Sequence, residues 1–416
     1  MTEDRSKALV TQAPTSLAPL SRLAERTLAE RAEREERALV AAMALVVGPG
    51  GYATISAAVA VARDGDTILV RPGRYLESVL VEGKSITIRG NGERNAIVVG
   101  WDQGPAFTLV ATHSTLTGLT IVGGRPRPAS EVLASLQVTG GAPQLDGLRV
   151  TRGRGIVFRG TAAGVITNSQ IDSNDLGIWL HDAASPRVEE NDIWANRLGG
   201  IYVGGTGTES LIRANRIHDC GSAGISVREG ASPRIEENDI WANRGGIYVG
   251  GAGTDPLVRA NRVHDAILGS GISVWEGASP RVEENDIWAN RLLGISISGG
   301  GTDPLVRANR VHDGHGRGIW VSEGASPRIE ENEVWANTSA GIWISGTGTS
   351  PVVIGNTVRD GFADGICVLE SASPTIADNT ITGNALEAIR VGGDAVPRIG
   401  RNVVMAASKG PTEQRT

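Results

Sequence analysis

The sequence predicts an all-β solenoid, in which short parallel strands stack coil upon coil. Three observations predict it. An asparagine recurs from Asn168 through Asn191, Asn215 and Asn238 to Asn402, ten intervals over 234 residues, a mean period of about 23.4. A Gly-Ile pair keeps step, from Gly155-Ile156 to Gly365-Ile366. Between these markers lie pieces such as "PRIEEND", "DIWAN" and "GIYVG", whose alternation over four or five residues belongs to strands rather than helices. Short strands at a fixed period with no helix between them stack as a parallel solenoid, with equivalent positions about 4.8 Å apart.

Composition agrees with this reading. Of 416 residues 56 are Gly and only 18 are Pro, 40% are hydrophobic and 21% are charged, which suits a folded, turn-rich chain. A net charge of −6 leaves no basic excess to displace counterions, which argues against a general nucleic-acid binder. Two cysteines, Cys220 and Cys367, are too few for a disulfide framework and suit a reducing compartment. The N-terminus opens on acids without an early apolar core, unlike a secretory signal, and the apolar run at 38–47 is too short to span a membrane. The default reading is cytoplasmic, with no membrane contact.

The elements follow in order. Residues 1–15 are expected to be a disordered tail. Residues 16–46, with Leu17, Leu20, Leu23 and Leu28 near helical spacing, are expected to form a helical cap over the open end of the solenoid. The β-helix is expected over 47–405. In it Val188, Ile212, Ile235, Val258 and Val282 should form one inward ladder, and the repeated Asn should bond both to turn backbone and to the next Asn. Residues 406–416 are polar and make a poor cap, which would leave that end open to association with a partner.

The charges alternate from coil to coil. Glu189, Arg213, Glu236, Arg259, Glu283, Arg307 and Glu330 occupy one position, and Asp192, Arg216, Asp239, Arg262 and Asp286 another. Identical coils would set like charges opposite one another, whereas alternation makes cross-strand neighbours opposite in sign and disfavours a one-coil slip.

The coils, "ASPRIEENDIWANRGGI" among them, resemble the right-handed parallel β-helix repeats of the pectin-lyase-like superfamily, including its carbohydrate-binding and sugar-hydrolase group. The stretch 52–92 is similar to the first coil of pectin methylesterases and of β-helix regions in some F-box proteins. The resemblance covers roughly residues 47–405 and implies right-handed winding. It does not carry an active site across. Polygalacturonase-like enzymes need an Asn-Thr-Asp motif and an Asp-Asp pair besides Gly-His-Gly, and Gly314-His315-Gly316 stands here without those acids. The signatures of pectate lyases and mannuronan epimerases are not evident either.

Two faces carry candidate chemistry. Trp194, Trp241, Trp288 and Trp335 alternate with His218, His264 and His312. Like residues lie two coils apart, about 9.6 Å, too far for two histidines to share a zinc ion, so the reading is Trp–His stacking and no metal. The second face follows each Gly-Ile. Its outward positions carry Trp179, Tyr202, Tyr248, Trp320 and Trp343 with Ser226, Ser273 and Ser296 between, and Trp275 slightly further along. The pairs Gly204-Gly205, Gly250-Gly251 and Gly299-Gly300 are expected to leave shallow dips beside these rings. Such a strip suits an extended glycan or a protein partner, with Trp179, Tyr202, Tyr248, Trp275, Trp320 and Trp343 as the binding residues. The rival reading is a cofactor-independent polysaccharide lyase, epimerase or hydrolase. Its candidates are His181, Asp182, Arg228, Glu229 and Glu276, where the repeat is broken, although Asp182, Glu229, Glu276 and Glu323 recur too regularly to single out one acid. A plain structural spacer is the third.

Overall fold

The computed structural model describes residues 44–405 apart from 92, 101–103 and 124–133. The readings of a tail at 1–15 and of a polar end at 406–416 lie outside the described residues, as does the helical cap read over 16–46 up to residue 43; its last residues, Leu45 and Val46, are strand. The solenoid opens at Leu45, two residues before the expected boundary, because Leu45–Val47 is already a strand, paired in parallel with Ile68–Val70.

Among the described residues every strand pairing is parallel, and the strands fall into three sheets of 16, 15 and 14 strands, given in the order each coil visits them. Each coil visits the first sheet, then the second, then the third, and returns one strand further along. The chain is a right-handed parallel β-helix of about fifteen turns, about 70 Å long at the normal strand spacing.

Side chains explain why each coil closes where it does. In one central coil Ile235, Ile240, Ile247 and Val249 point inward and are fully buried. Their counterparts continue the ladder, Ile235 opposite Val258 and Val258 opposite Val282, so one apolar core runs the length of the molecule. The corner after the first sheet is made by a left-handed residue, Glu237 at φ 55°, Ala260 at φ 53° and Glu284 at φ 55°. Such a conformation is unfavourable for residues with a Cβ, so something must hold it.

The repeated Asn holds it. The Asn238 carboxamide oxygen accepts the backbone N–H and the side-chain amide of Asn215, both at 3.0 Å. Its own Nδ2 donates to Asn261 Oδ1 at 2.9 Å and to the Ile212 carbonyl at 2.9 Å. The side chain is buried with two donors and two acceptances made, and the arrangement repeats from Asn191 to Asn402. Asn168 is the exception. It is an exposed left-handed residue, and the buried place beneath Asn191 belongs to Ser169, whose N–H donates to Asn191 Oδ1 at 3.1 Å.

A second asparagine row went unread in the sequence because it skips alternate coils. Asn243 accepts from Cys220 N–H at 2.9 Å and donates to the Ile217 carbonyl at 2.8 Å. Asn290 does the same between Ala266 and Val263, at 3.1 Å each. Asn196, Asn243, Asn290, Asn337 and Asn384 recur every 47 residues, which is the double-coil period.

A helix at Ile55–Val61 packs Ile55, Ala58 and Val59 against the first strands, a feature the strand periodicity did not suggest. Thr54 caps it, accepting Ala57 N–H at 3.1 Å, while the Glu77 carboxylate accepts from Ile55 and Ser56 N–H at 2.9 Å each. Lys84 Nζ donates to the carbonyls of Val59 and Ala62 at 2.7 and 3.0 Å, opposite charge at the opposite end of the helix. Among the described residues the last coil exposes Val391, Ile399 and Val404. No helix among them is long and apolar enough to cross a membrane.

Charge alternation is present in the expected register, Glu236 opposite Arg213 and Arg259. In this row the shortest ion pairs between coils are diagonal, whereas in the other row Arg262 and Arg310 reach the directly opposite Asp239 and Asp286 at 3.2 and 3.3 Å. Arg213 reaches Glu237 and Arg259 reaches Glu284, at 2.8 and 2.9 Å, while Glu236 turns to Arg234 of its own strand at 2.8 Å. The left-handed corner swings the second glutamate of "IEEN" back toward the neighbouring coil, and residues two apart on a strand share a face. These exposed pairs tune register more than they stabilise.

Candidate functional site

The outer face of the third sheet assembles the strip from strands that are short because glycine and left-handed corners end them. Trp179, Tyr202, Ser226, Tyr248, Ser273, Ser296, Trp320 and Trp343 stand in one register, each half-buried. Trp275 lies in the next row, between Gly250 and Ser298.

The glycines do not leave the expected dips. A Cβ on Gly245 would lie 2.2–2.6 Å from Oη, Cζ and Cε1 of Tyr248, so the phenol ring lies across that glycine. Gly250 is covered in the same way by the Trp275 indole, at 2.7 Å from Nε1, and Gly204 by the Tyr202 ring, at 2.7 Å from Cε1. Gly300 alone of those named has open space above it. Glycine removes the Cβ and a ring packs over its place, so the expected hollows are filled. Neighbouring rings meet edge to face, Tyr248 and Trp275 at 77° and Trp179 and Tyr202 at 89°.

Polar groups are fixed along its N-terminal half. The Tyr202 hydroxyl donates to Glu229 Oε1 at 3.0 Å, and burial together with that carboxylate pushes the phenol up to about 12. Burial also raises Tyr248, with the Arg244 charge opposing. His181 Nδ1 lies 2.9 Å from Asp182 Oδ2, and its ring packs on Trp179 at 4.6 Å between centroids. Trp179 meets the edge of Tyr202 at 6.2 Å, and Arg228 lies over Trp275 at 5.2 Å. The structure therefore brings His181, Trp179, Tyr202 and Glu229 into one connected cluster, with Arg228 and Trp275 as a second.

Asp182, Glu229, Glu276 and Glu323 are exposed and all occupy left-handed corners, at φ 56°, 59°, 56° and 54°. Their regular recurrence is a property of the corner. His315 of the Gly-His-Gly motif lies elsewhere, on the edge between the second and third sheets, where with Asp265 and Arg291 it lines a shallow depression of about 610 Å³. Arg317 was not singled out in the sequence, since nothing in "GRGIW" distinguishes it from the many coil arginines; it folds over Trp343 at 4.1 Å.

The second sheet bears the Trp–His row. His218, His264 and His312 stack on the following tryptophans at 4.3, 4.1 and 4.1 Å, and on the preceding ones at 6.0–6.1 Å. Each imidazole sits between two carboxylates, His218 between Asp192 at 3.1 Å and Asp219 at 2.7 Å. Ring faces and nitrogens are thus used within the row, which suits a buttress between coils. Among the described residues no group of three His, Cys, Asp or Glu is placed to hold a metal ion.

Comparison with solved structures finds the periplasmic alginate epimerase AlgG at 13% identity and TM-score 0.48, over 82% of this chain and 77% of that one. The mannuronan C-5 epimerase AlgE4 A-module of Azotobacter vinelandii gives 14% and 0.48, over 86% and 97%. The catalytic unit of a GH87 α-1,3-glucanase from Streptomyces thermodiastaticus gives 15% and 0.46, over 88% and 70%. At such identities and scores they carry no argument about chemistry. No curated protein matches the chain. The family model "Right handed beta helix region" matches residues 154–303 and 267–404, together more than half of the chain, and the protein belongs to the right-handed β-helix family.

Proposed function

We propose that the protein is a recognition scaffold that binds an extended glycan along the outer face of its third sheet. One observation carries the reading: the outward rings of Tyr202, Tyr248 and Trp275 pack over Gly204, Gly245 and Gly250 and cover them with aromatic surface. A core needs no such arrangement on its outer surface. Sugar rings stack on aromatic faces, and the glutamates and serines between them suit hydroxyl groups. A glycan array tests it, with each hit measured against Tyr248→Ala. Hits weakened by that change support the strip, whereas hits indifferent to it, or no hits, count against it.

A second reading has its own observation. The His181–Asp182 pair and the Tyr202–Glu229 hydrogen bond meet across Trp179, so titratable groups with fixed partners line one end of the strip. A proton-transferring enzyme requires such positioned groups. Product analysis of every glycan that binds decides it, and turnover abolished by His181→Gln would convert the scaffold into an enzyme.

A further inference from the structure

The C-terminal end of the strip gathers three buried donors without partners on one strand. Arg317 opens the strand Arg317–Ser322 and bends back over the outer face, its guanidinium 4.1 Å from the centroid of Trp343 and 5.8 Å from that of Trp320. Most arginines of the central coils lie against a carboxylate, as Arg213, Arg259 and Arg307 do. Arg317 has no carboxylate within ion-pair reach among the described residues, and its Nε is buried without a partner.

Two further donors on the same strand are in the same state. Trp320 Nε1 and Ser322 Oγ are buried and unpartnered, and Ser322 is 4% exposed. Both stand outward on the strand that Arg317 begins, and Ser298 lies beside Ser322 in the neighbouring coil. Buried donors are nearly always satisfied, so three orphans on one short strand call for an acceptor. Next to Arg317 lies a depression of about 280 Å³ lined by Leu292, Leu293, Gly316, Arg317 and Ser339, at the edge of the sheet. The N-terminal half holds one such unpartnered donor, Trp179 Nε1, beside the carboxylates of Asp182 and Glu229, while at the C-terminal end the exposed Glu323 follows Ser322 in the chain.

We infer that Arg317, Trp320 and Ser322 form a subsite for an anionic sugar unit, carboxylated or sulfated, at the C-terminal end of the bound chain. The guanidinium is the charge, planar and able to engage two anionic oxygens at once. The indole N–H and the hydroxyl complete the set when the anion draws Arg317 off Trp343. The inference rests on the glycan reading and assigns the direction and charge of the ligand within it.

Titration calorimetry with hexagalacturonate, its full methyl ester, a sulfated chondroitin hexasaccharide and cellohexaose tests it. The acidic probe that fits is expected to bind at least tenfold more tightly than the ester and cellohexaose, with an affinity that falls as salt rises. Binding of hexagalacturonate assigns the site to a carboxylate, and binding of the sulfated chondroitin alone, whose glucuronates also carry carboxylates, assigns it to the sulfate. Arg317→Gln should erase the preference without shifting the unfolding midpoint, and Arg317→Lys should keep part of it. Binding should change tryptophan emission in the native protein and not in Arg317→Gln. Equal binding of neutral and acidic probes, or a preference that survives Arg317→Gln, overturns the subsite; if Tyr248→Ala still weakens those probes, the strip itself stands. If none of the four probes and no glycan on the array binds, both readings fall together.

Discussion

Tyr248 lies across Gly245, near enough that a single methyl group on the glycine would sit 2.2 Å from the phenolic oxygen. The relationship ties an outward ring to a residue with no side chain on its own strand, and it is the smallest change that separates the shape of the strip from its composition.

Gly245→Ala should therefore lift the ring without touching the core. Gly245 does not need a left-handed backbone, so the alanine itself is unstrained. Affinity for a bound glycan is expected to fall about tenfold, corresponding to about 1.4 kcal/mol, while the unfolding midpoint moves little. A crystal structure of the variant with Tyr248 unmoved would show that the glycine has another purpose.

Asn261 tests what holds the corners. It is fully buried, accepts from Asn238 twice and donates to Asn285 and to the Ile235 carbonyl. Asn261→Ala leaves at least two buried groups without partners beside a left-handed alanine, and about 2–5 kcal/mol of stability should be lost. Denaturant titration measures it. A loss under 1 kcal/mol would mean that the strands set the corner and the asparagines only fill it.

Much of this was legible in the sequence. Periodicity, the inward ladder through Ile235 and Val258, the asparagine stack and the Trp–His row all follow from positions that repeat, since stacking makes each residue the neighbour of its copy one coil away. What was not legible depends on side chains leaving their own register. Arg259 bonds Glu284 rather than the glutamates opposite it because a left-handed corner turns Glu284 back. The glycines read as dips because a ring that folds over a glycine three residues away, as Tyr248 does over Gly245, is invisible in a one-dimensional pattern. Asn168 looked like a ladder residue although Ser169 fills that place, since the count is blind to a one-residue shift at a corner.

Charge reversal at Arg259 should be mild. Arg259→Glu breaks the bond to Glu284 and adds a glutamate between Glu236 and Glu283. The midpoint should fall by much less than for Asn261→Ala, the difference should shrink in high salt, and adding Glu284→Arg should recover most of it. A fall as large as that of Asn261→Ala would show that charge, not the asparagine row, sets the register.

The thiols supply a pH dependence. Burial pushes Cys220 and Cys367 up to about 11, from an ordinary value near 9. The folded state holds the proton more tightly than the unfolded one, so their contribution is fully present below about pH 9 and is lost as pH rises toward about 11. Cys220→Ala should flatten the decline in stability across that window, and both thiols should label slowly in native protein at neutral pH and rapidly once it is unfolded. An unchanged alkaline decline would place the loss elsewhere, and a thiol that labels at once would contradict its burial.

The most direct test of the strip compares three alanine variants by calorimetry against a glycan found on the array, with unfolding midpoints taken on the same preparations. Tyr248→Ala should weaken binding tenfold or more while its midpoint shifts far less than that of Val258→Ala, which opens a cavity in the core. Trp241→Ala, on the Trp–His row of the other sheet, should lower stability and leave affinity unchanged. Affinity that is insensitive to Tyr248→Ala, or that falls equally with Trp241→Ala, would contradict a binding strip on the third sheet.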